Sequence, residues 1–165
     1  TTGHHNSSAE SGAWFAAHPE AFDKTALLLN CEHTGGIESG PGNIRLSNMV
    51  AAFNWFGTGP RLAAIVVRAM DAFGVPSFPE SSPSPPGEIG RYYRFAPSVE
   101  IINSGYVWHS DQETAETISA NGLAAVTRTY AKVIADTDSI SLEEMRQPIA
   151  PRVSAQQGDS LRRHD

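Results

Sequence analysis

The chain has 165 residues, 40% of them hydrophobic and 18% charged, with a formal net charge of −6 and one cysteine. A chain of that length buries one core of ordinary size, and that balance belongs to a globular protein, not a disordered one. No basic stripe offers itself to nucleic acid, no apolar run approaches the roughly 20 residues that span a bilayer, and Cys31 alone makes no internal disulfide, though it leaves the compartment undecided.

The chain opens without Met on Thr1, Thr2 and Gly3, which read as the last residues of a strand cut from something longer; the doublet His4-His5 follows. Loops leaving a sheet present side chains to a cleft, so histidines at a strand end are candidates for chemistry. The plainer alternative is an exposed polar turn or the remnant of a purification tag. Ser7 and Glu10 have capping-box spacing, predicting a helix through Ala13, Trp14, Phe15 and Ala16 that stops at Pro19, with His18 near its carbonyl end. The continuous apolar run from Ala26 to Cys31, closing on Glu32, His33, Thr34, Gly35 and Gly36, predicts a strand buried on both faces. From Ile44 to Phe56 the pattern assigns neither helix nor strand.

Leu62, Ile65, Val66, Ala69, Met70 and Phe73 recur at helical spacing, with Pro60 in the first turn and Gly74 just past the end. Residues 76–87, dominated by Pro and Ser, read as a surface loop. Ser98 to Ile102 predicts a second buried strand, leading through Asn103, Ser104 and Gly105 to His109. Leu123, Val126, Tyr130 and Val133 mark a final amphipathic helix. Beyond Gln147 the periodicity is lost, and residues 147–165 read as a flexible tail. Strand and helix in alternation imply a layered α/β sheet, partly parallel, with sites at its strand ends.

The residues with chemistry to offer are His4, His5, Glu32, His33 and His109. Imidazole and carboxylate are the ligands zinc takes where cysteine is absent. The helical motif HExxH does not occur, so a metal site here would be assembled from distant strand ends. Competing readings are weaker. Cys31 lies inside the apolar run and reads as a small core residue. No G-x-S-x-G elbow is present, and Gly35, Gly36, Gly40 and Gly42 lack the Lys-Ser/Thr of a phosphate loop. Phe53, Trp55 and Phe56 read as core or cleft lining.

The order Gly3-His4-His5, then a helix ending Ala16-Ala17-His18-Pro19-Glu20, then Leu29-Asn30-Cys31-Glu32, then Trp108-His109-Ser110-Asp111-Gln112-Glu113-Thr114 resembles the second half of the co-catalytic zinc aminopeptidases, peptidase family M, number twenty-eight. The resemblance covers roughly residues 1 to 135 and is most specific from His109 to Thr114. It implies that His109 matches the family's last metal-binding histidine. Glu32 then falls on a strand-end aspartate ligand, one methylene longer. His5 falls on the second residue of a glutamate pair, a metal ligand, and His4 on the first, the general base. Histidine can bind zinc and can act as a base, so these departures mark a divergent subgroup. The family's first histidine ligand and its bridging aspartate would lie before Thr1.

The resemblance therefore implies a three-layer α/β/α domain with a central mixed, mostly parallel sheet. Residues 1–146 would supply its C-terminal half and the N-terminal half would be absent. It implies a parent that hydrolyses peptide bonds as an aminopeptidase, with a peptide substrate and two zinc ions, and a fragment inactive by itself. The alternatives are a non-catalytic relative that binds peptides or a partner, and an interaction module whose histidines are incidental. The carry-over predicts that His5, Glu32 and His109 converge at one sheet edge, with Ser110, Asp111 and Thr114 available to orient the ring of His109.

Overall fold

The computed structural model describes residues 9–32, 39–40, 44–45, 52–56, 60–75, 77–79, 89, 93, 95–102 and 110–146. Helix α1 spans Ala9–Ala17 and ends where Pro19 starts a 3-10 turn over Pro19–Phe22, as the proline demands. Ser7, the expected cap, lies outside the described residues. The ring of Phe22 anchors this segment: it is buried, lies 5.2 Å from Phe15, and stacks at 5.2 Å and 15° on Phe95, three residues ahead of the strand Ser98–Ile102.

Strand β1 is Leu28–Cys31, β2 Ser39–Gly40, β3 Ile44–Arg45, β4 Ala52–Phe56, β5 Ser77–Pro79 and β6 Ser98–Ile102. Four of them form one sheet in the order β1-β6-β4-β5, while β2 and β3 pair antiparallel by themselves. β6 runs parallel to β1 and antiparallel to β4, and β5 is parallel to β4. The sheet is mixed, with two of its three pairings parallel.

Helix α2, Pro60–Phe73, has the boundaries its sequence predicts. Gly74 takes φ 67°, a left-handed value that suits glycine, and lets Val75 N–H reach Met70 O at 2.9 Å while Gly74 N–H reaches Asp71 O at 3.3 Å. Helix α3, Ala120–Thr137, is capped by Ser119, whose Oγ accepts from Gly122 N–H at 3.0 Å. A short helix α4, Leu142–Met145, follows behind Ser141, whose side chain accepts from Glu144 N–H. Its next residue, Arg146, donates to the carbonyls of Phe22, Thr25 and Phe95 at 2.5, 2.9 and 3.0 Å, tying the end of the described chain to both segments that lead into the sheet.

Leu62, Ile65, Val66, Ala69 and Met70 of α2 pack with Val126, Tyr130 and Val133 of α3 against Val99 and Ile101 of β6. Ser98 and Glu100, on the alternate face of β6, are also fully buried. The described residues thus define a mixed α/β fold with one layer made of α2 and α3. The three-layer arrangement is not established by them. No helix among the described residues is long and apolar enough to cross a membrane.

Four expectations need correction. β1 is not buried on both faces: it is an edge strand of the four-stranded sheet, with Leu28, Leu29 and Asn30 half-buried and Cys31 exposed. Cys31 is accordingly not a core residue. The Pro- and Ser-rich stretch contains β5, which tolerates Pro79 because an edge strand can lose a ladder donor. Leu123, expected on the apolar face of α3, is 43% exposed.

Candidate functional site

Parallel pairing sends β1 and β6 to the same sheet edge, where the register sets Asn30 beside Glu100 and Cys31 beside Ile101. Paired residues of a parallel ladder share a face, and period-two alternation puts Asn30 and Glu100 on the side opposite Val99 and Ile101. Glu32 follows the last residue of β1, two positions beyond Asn30. These three side chains meet. Asn30 Nδ2 donates to Glu100 Oε1 at 2.5 Å and to Glu32 Oε2 at 3.2 Å. One carboxamide nitrogen, with its two hydrogens, thereby serves two carboxyl groups.

The main chain of the same residue is held from the core side. Tyr130 of α3 donates its hydroxyl to Asn30 O at 2.5 Å and accepts from Ile101 N–H at 2.8 Å. One phenol oxygen thus joins the facing strands β1 and β6 near their shared end. Burial pushes the Tyr130 phenol well above its ordinary range; the bond from Ile101 opposes that shift, and the nearby Cys31 and Glu100 add to it. The hydroxyl keeps its proton and remains a donor. Cys31 is exposed at its surface, yet partial desolvation of the sulfur pushes its thiol up, away from the reactive thiolate.

Of the site residues expected from sequence, Glu32 is the one the described residues include. His4, His5, His33 and His109 lie outside them. β6 ends at Ile102, on the same edge as Glu32, and residues 103–109, which follow it in sequence, lie outside the described residues. Beyond that segment, Ser110 Oγ accepts from Gln112 N–H, and Thr114 Oγ1 donates to Glu116 Oε2 at 2.5 Å. Among the described residues no three His, Cys, Asp or Glu side chains group to hold a metal ion. His18 has the structural place expected of it, with its ring 4.8 Å from Trp14 and Nδ1 3.1 Å from Glu20 Oε1. An open crevice of about 600 Å³ lies elsewhere, lined by Arg61, Ile65, Arg68, Asp136, Ser139 and Ile140. Arg61 is already paired with Glu144, and Asp136 with Lys132.

Sequence reasoning passed over Asn30, Glu100 and Tyr130 as functional residues. A signal for Glu100 was present. A carboxyl group in the middle of Ser98-Val99-Glu100-Ile101-Ile102, a stretch read as a buried strand, must find partners or carry a large desolvation cost. Nothing comparable marks Tyr130, whose position on the apolar face of α3 reads as packing alone. Comparison of the chain with protein-family models, with curated proteins and with solved structures finds no match. What the fold itself defines is the class: a mixed α/β protein with a carboxyl-bearing site at the shared end of two parallel strands.

Proposed function

We propose that the chain carries part of the active site of a metal-dependent hydrolase of peptide bonds, of the aminopeptidase type. The observation that carries this reading is the Glu32 carboxyl group, held by the Asn30 carboxamide at the edge where β1 and β6 both end. In open α/β sheets that edge is where ligands bind. The resemblance from Gly3 to Thr114 supplies the remaining roles: His5, Glu32 and His109 as zinc ligands and His4 as the base that takes a proton from the attacking water. Two imidazoles and a carboxylate are a donor set suited to catalytic zinc. Zinc, when bound, acts as a Lewis acid and brings the pKa of water to about 7. The task of the protein is then to orient Glu32, to accept the proton at His4, and to seat a peptide carbonyl at the sheet edge.

His4-His5 in the place of the family's paired glutamates favours a second reading, a peptidase-like domain that binds metal or peptide without turnover. Two measurements separate the readings: zinc affinity of the chain by competition with a chromogenic chelator, and hydrolysis of aminoacyl chromogenic substrates by the parent protein that the resemblance implies, since the chain by itself is expected to be inactive. Zinc binding by the chain that Glu32→Gln weakens, together with turnover by the parent protein that is lost to a chelator and restored by zinc, is the expected result. Binding without turnover supports the non-catalytic reading. Zinc affinity indifferent to Glu32→Gln removes the metal site as assigned.

A further inference from the structure

We propose that Glu100 is a positioning residue for Glu32, acting through the Asn30 carboxamide; the significance of this for metal binding rests on the zinc reading above, whereas the coupling itself does not. Glu100 occupies the middle of β6, has strands on both sides, and is 0% exposed. Its flanking residues Val99 and Ile101 join the apolar core, and an apolar residue at position 100 would be the simpler way to fill a buried strand. The carboxyl group instead takes the shorter of the two bonds from Asn30 Nδ2, 2.5 Å against 3.2 Å for Glu32. Of the two acceptors it sits on the more rigid mount, a strand paired on both edges, while Glu32 has just left an edge strand.

A carboxamide can present either nitrogen or oxygen to a neighbour. With Glu100 fixed on one side, turning the group over would set Asn30 Oδ1 against a carboxyl oxygen, so the nitrogen stays inward. Its second N–H then points at Glu32 and holds the carboxyl group of a long, flexible side chain in one orientation. Tyr130 pins the carbonyl of the same residue, so Asn30 is held through both main chain and side chain. Glu100 thereby sets the direction of Glu32 without reaching it, in the way that groups behind a ligand orient it toward a metal.

The test uses the 165-residue chain with Glu100→Met, which keeps length and loses the acceptor, and Glu100→Gln, which keeps a carbonyl oxygen. The first readout needs no metal. By NMR, Glu32→Ala should speed solvent exchange of one Asn30 carboxamide hydrogen in the wild-type background and have no such effect in the Glu100→Met background. The same effect in both backgrounds would overturn the proposal. The second readout is zinc affinity: Glu100→Met should lower it about 10–100-fold, and Glu100→Gln should return it to within a few-fold of wild type. Equal losses in Met and Gln at unchanged thermal stability would also overturn it. Should Glu100→Met fail to fold, Asn30→Ala breaks the same bridge, and zinc affinity unchanged by it counts against the proposal. If Glu32→Ala leaves zinc affinity untouched, the metal reading fails, and the exchange experiment still decides whether Glu100 positions Glu32.

Discussion

Removing the single hydroxyl of Tyr130 probes the seam that holds the site. In Tyr130→Phe the ring still fills its place among Val126, Val133, Val99 and Ile101, so the cost is almost wholly polar. Two hydrogen bonds disappear, to Asn30 O and from Ile101 N–H, each worth about 0.5–1.5 kcal/mol net. Asn30 is half-buried and its carbonyl can recruit water, but Ile101 is 0% exposed and its N–H is left without an acceptor, a penalty of about 1–3 kcal/mol. Taking the lower half of these ranges, the variant should lose about 2–3 kcal/mol, or roughly 5–10 °C in Tm for a domain of this size. Urea denaturation should show a lower midpoint at unchanged slope, and hydrogen exchange at Ile101 should accelerate.

The same substitution has a pH signature. The folded phenol is raised well above the ordinary tyrosine value, so its contribution to stability is complete below about pH 10, where unfolded tyrosine ionises, and is lost as pH rises above it. The stability gap between wild type and Tyr130→Phe should therefore narrow at alkaline pH. A gap below about 0.5 kcal/mol at neutral pH, or one that widens with alkali, would refute the assignment of the seam to this hydroxyl.

Arg146→Met keeps the aliphatic stem but breaks three charge-assisted bonds to backbone carbonyls; allowing for partial exposure, it should cost about 2–4 kcal/mol in denaturant unfolding, with Arg146→Lys recovering less than half. A cost below about 1 kcal/mol would mean that the clamp adds little. Cys31, exposed yet with a raised thiol, should react with iodoacetamide more slowly than free cysteine at pH near 8 and approach it as pH rises; faster alkylation would contradict the direction of that shift. His109→Ala should lower zinc affinity by at least the 10–100-fold typical of lost supporting groups, while His18→Ala, altering a side chain packed against Trp14 and bonded to Glu20, should leave it unchanged. Equal effects of the two substitutions would remove His109 from the ligand set.

How much was legible in the sequence follows from how local each feature is. Helix α2 could be read almost residue by residue because spacing, Pro60 and Gly74 all act within one turn of the positions they mark. The buried run of β6 is local in the same sense. Strands β4 and β5 were not legible. Two- to five-residue strands carry too little periodicity, and β5 becomes a strand because β4 lies beside it, with Phe53 opposite Phe78 and Asn54 opposite Pro79. The exposure of Cys31 had no local cue either, since an apolar run looks alike in a central and an edge strand.

For the candidate site the division is sharper. The sequence by itself determined a mixed α/β chain, placed Glu32 at a strand end, and through its motifs suggested which chemistry to look for. Tertiary structure alone decided that Glu100, 70 residues from Asn30, faces the same carboxamide as Glu32, and that Tyr130, 100 residues away, closes the seam behind it. Arg146 reaching Phe22 across 124 positions belongs to the same class. The reason is physical: propensity, capping and periodicity are set by neighbours within a turn, whereas a buried carboxyl, phenol or guanidinium takes whichever partner the packed sheet and helices bring within about 3 Å.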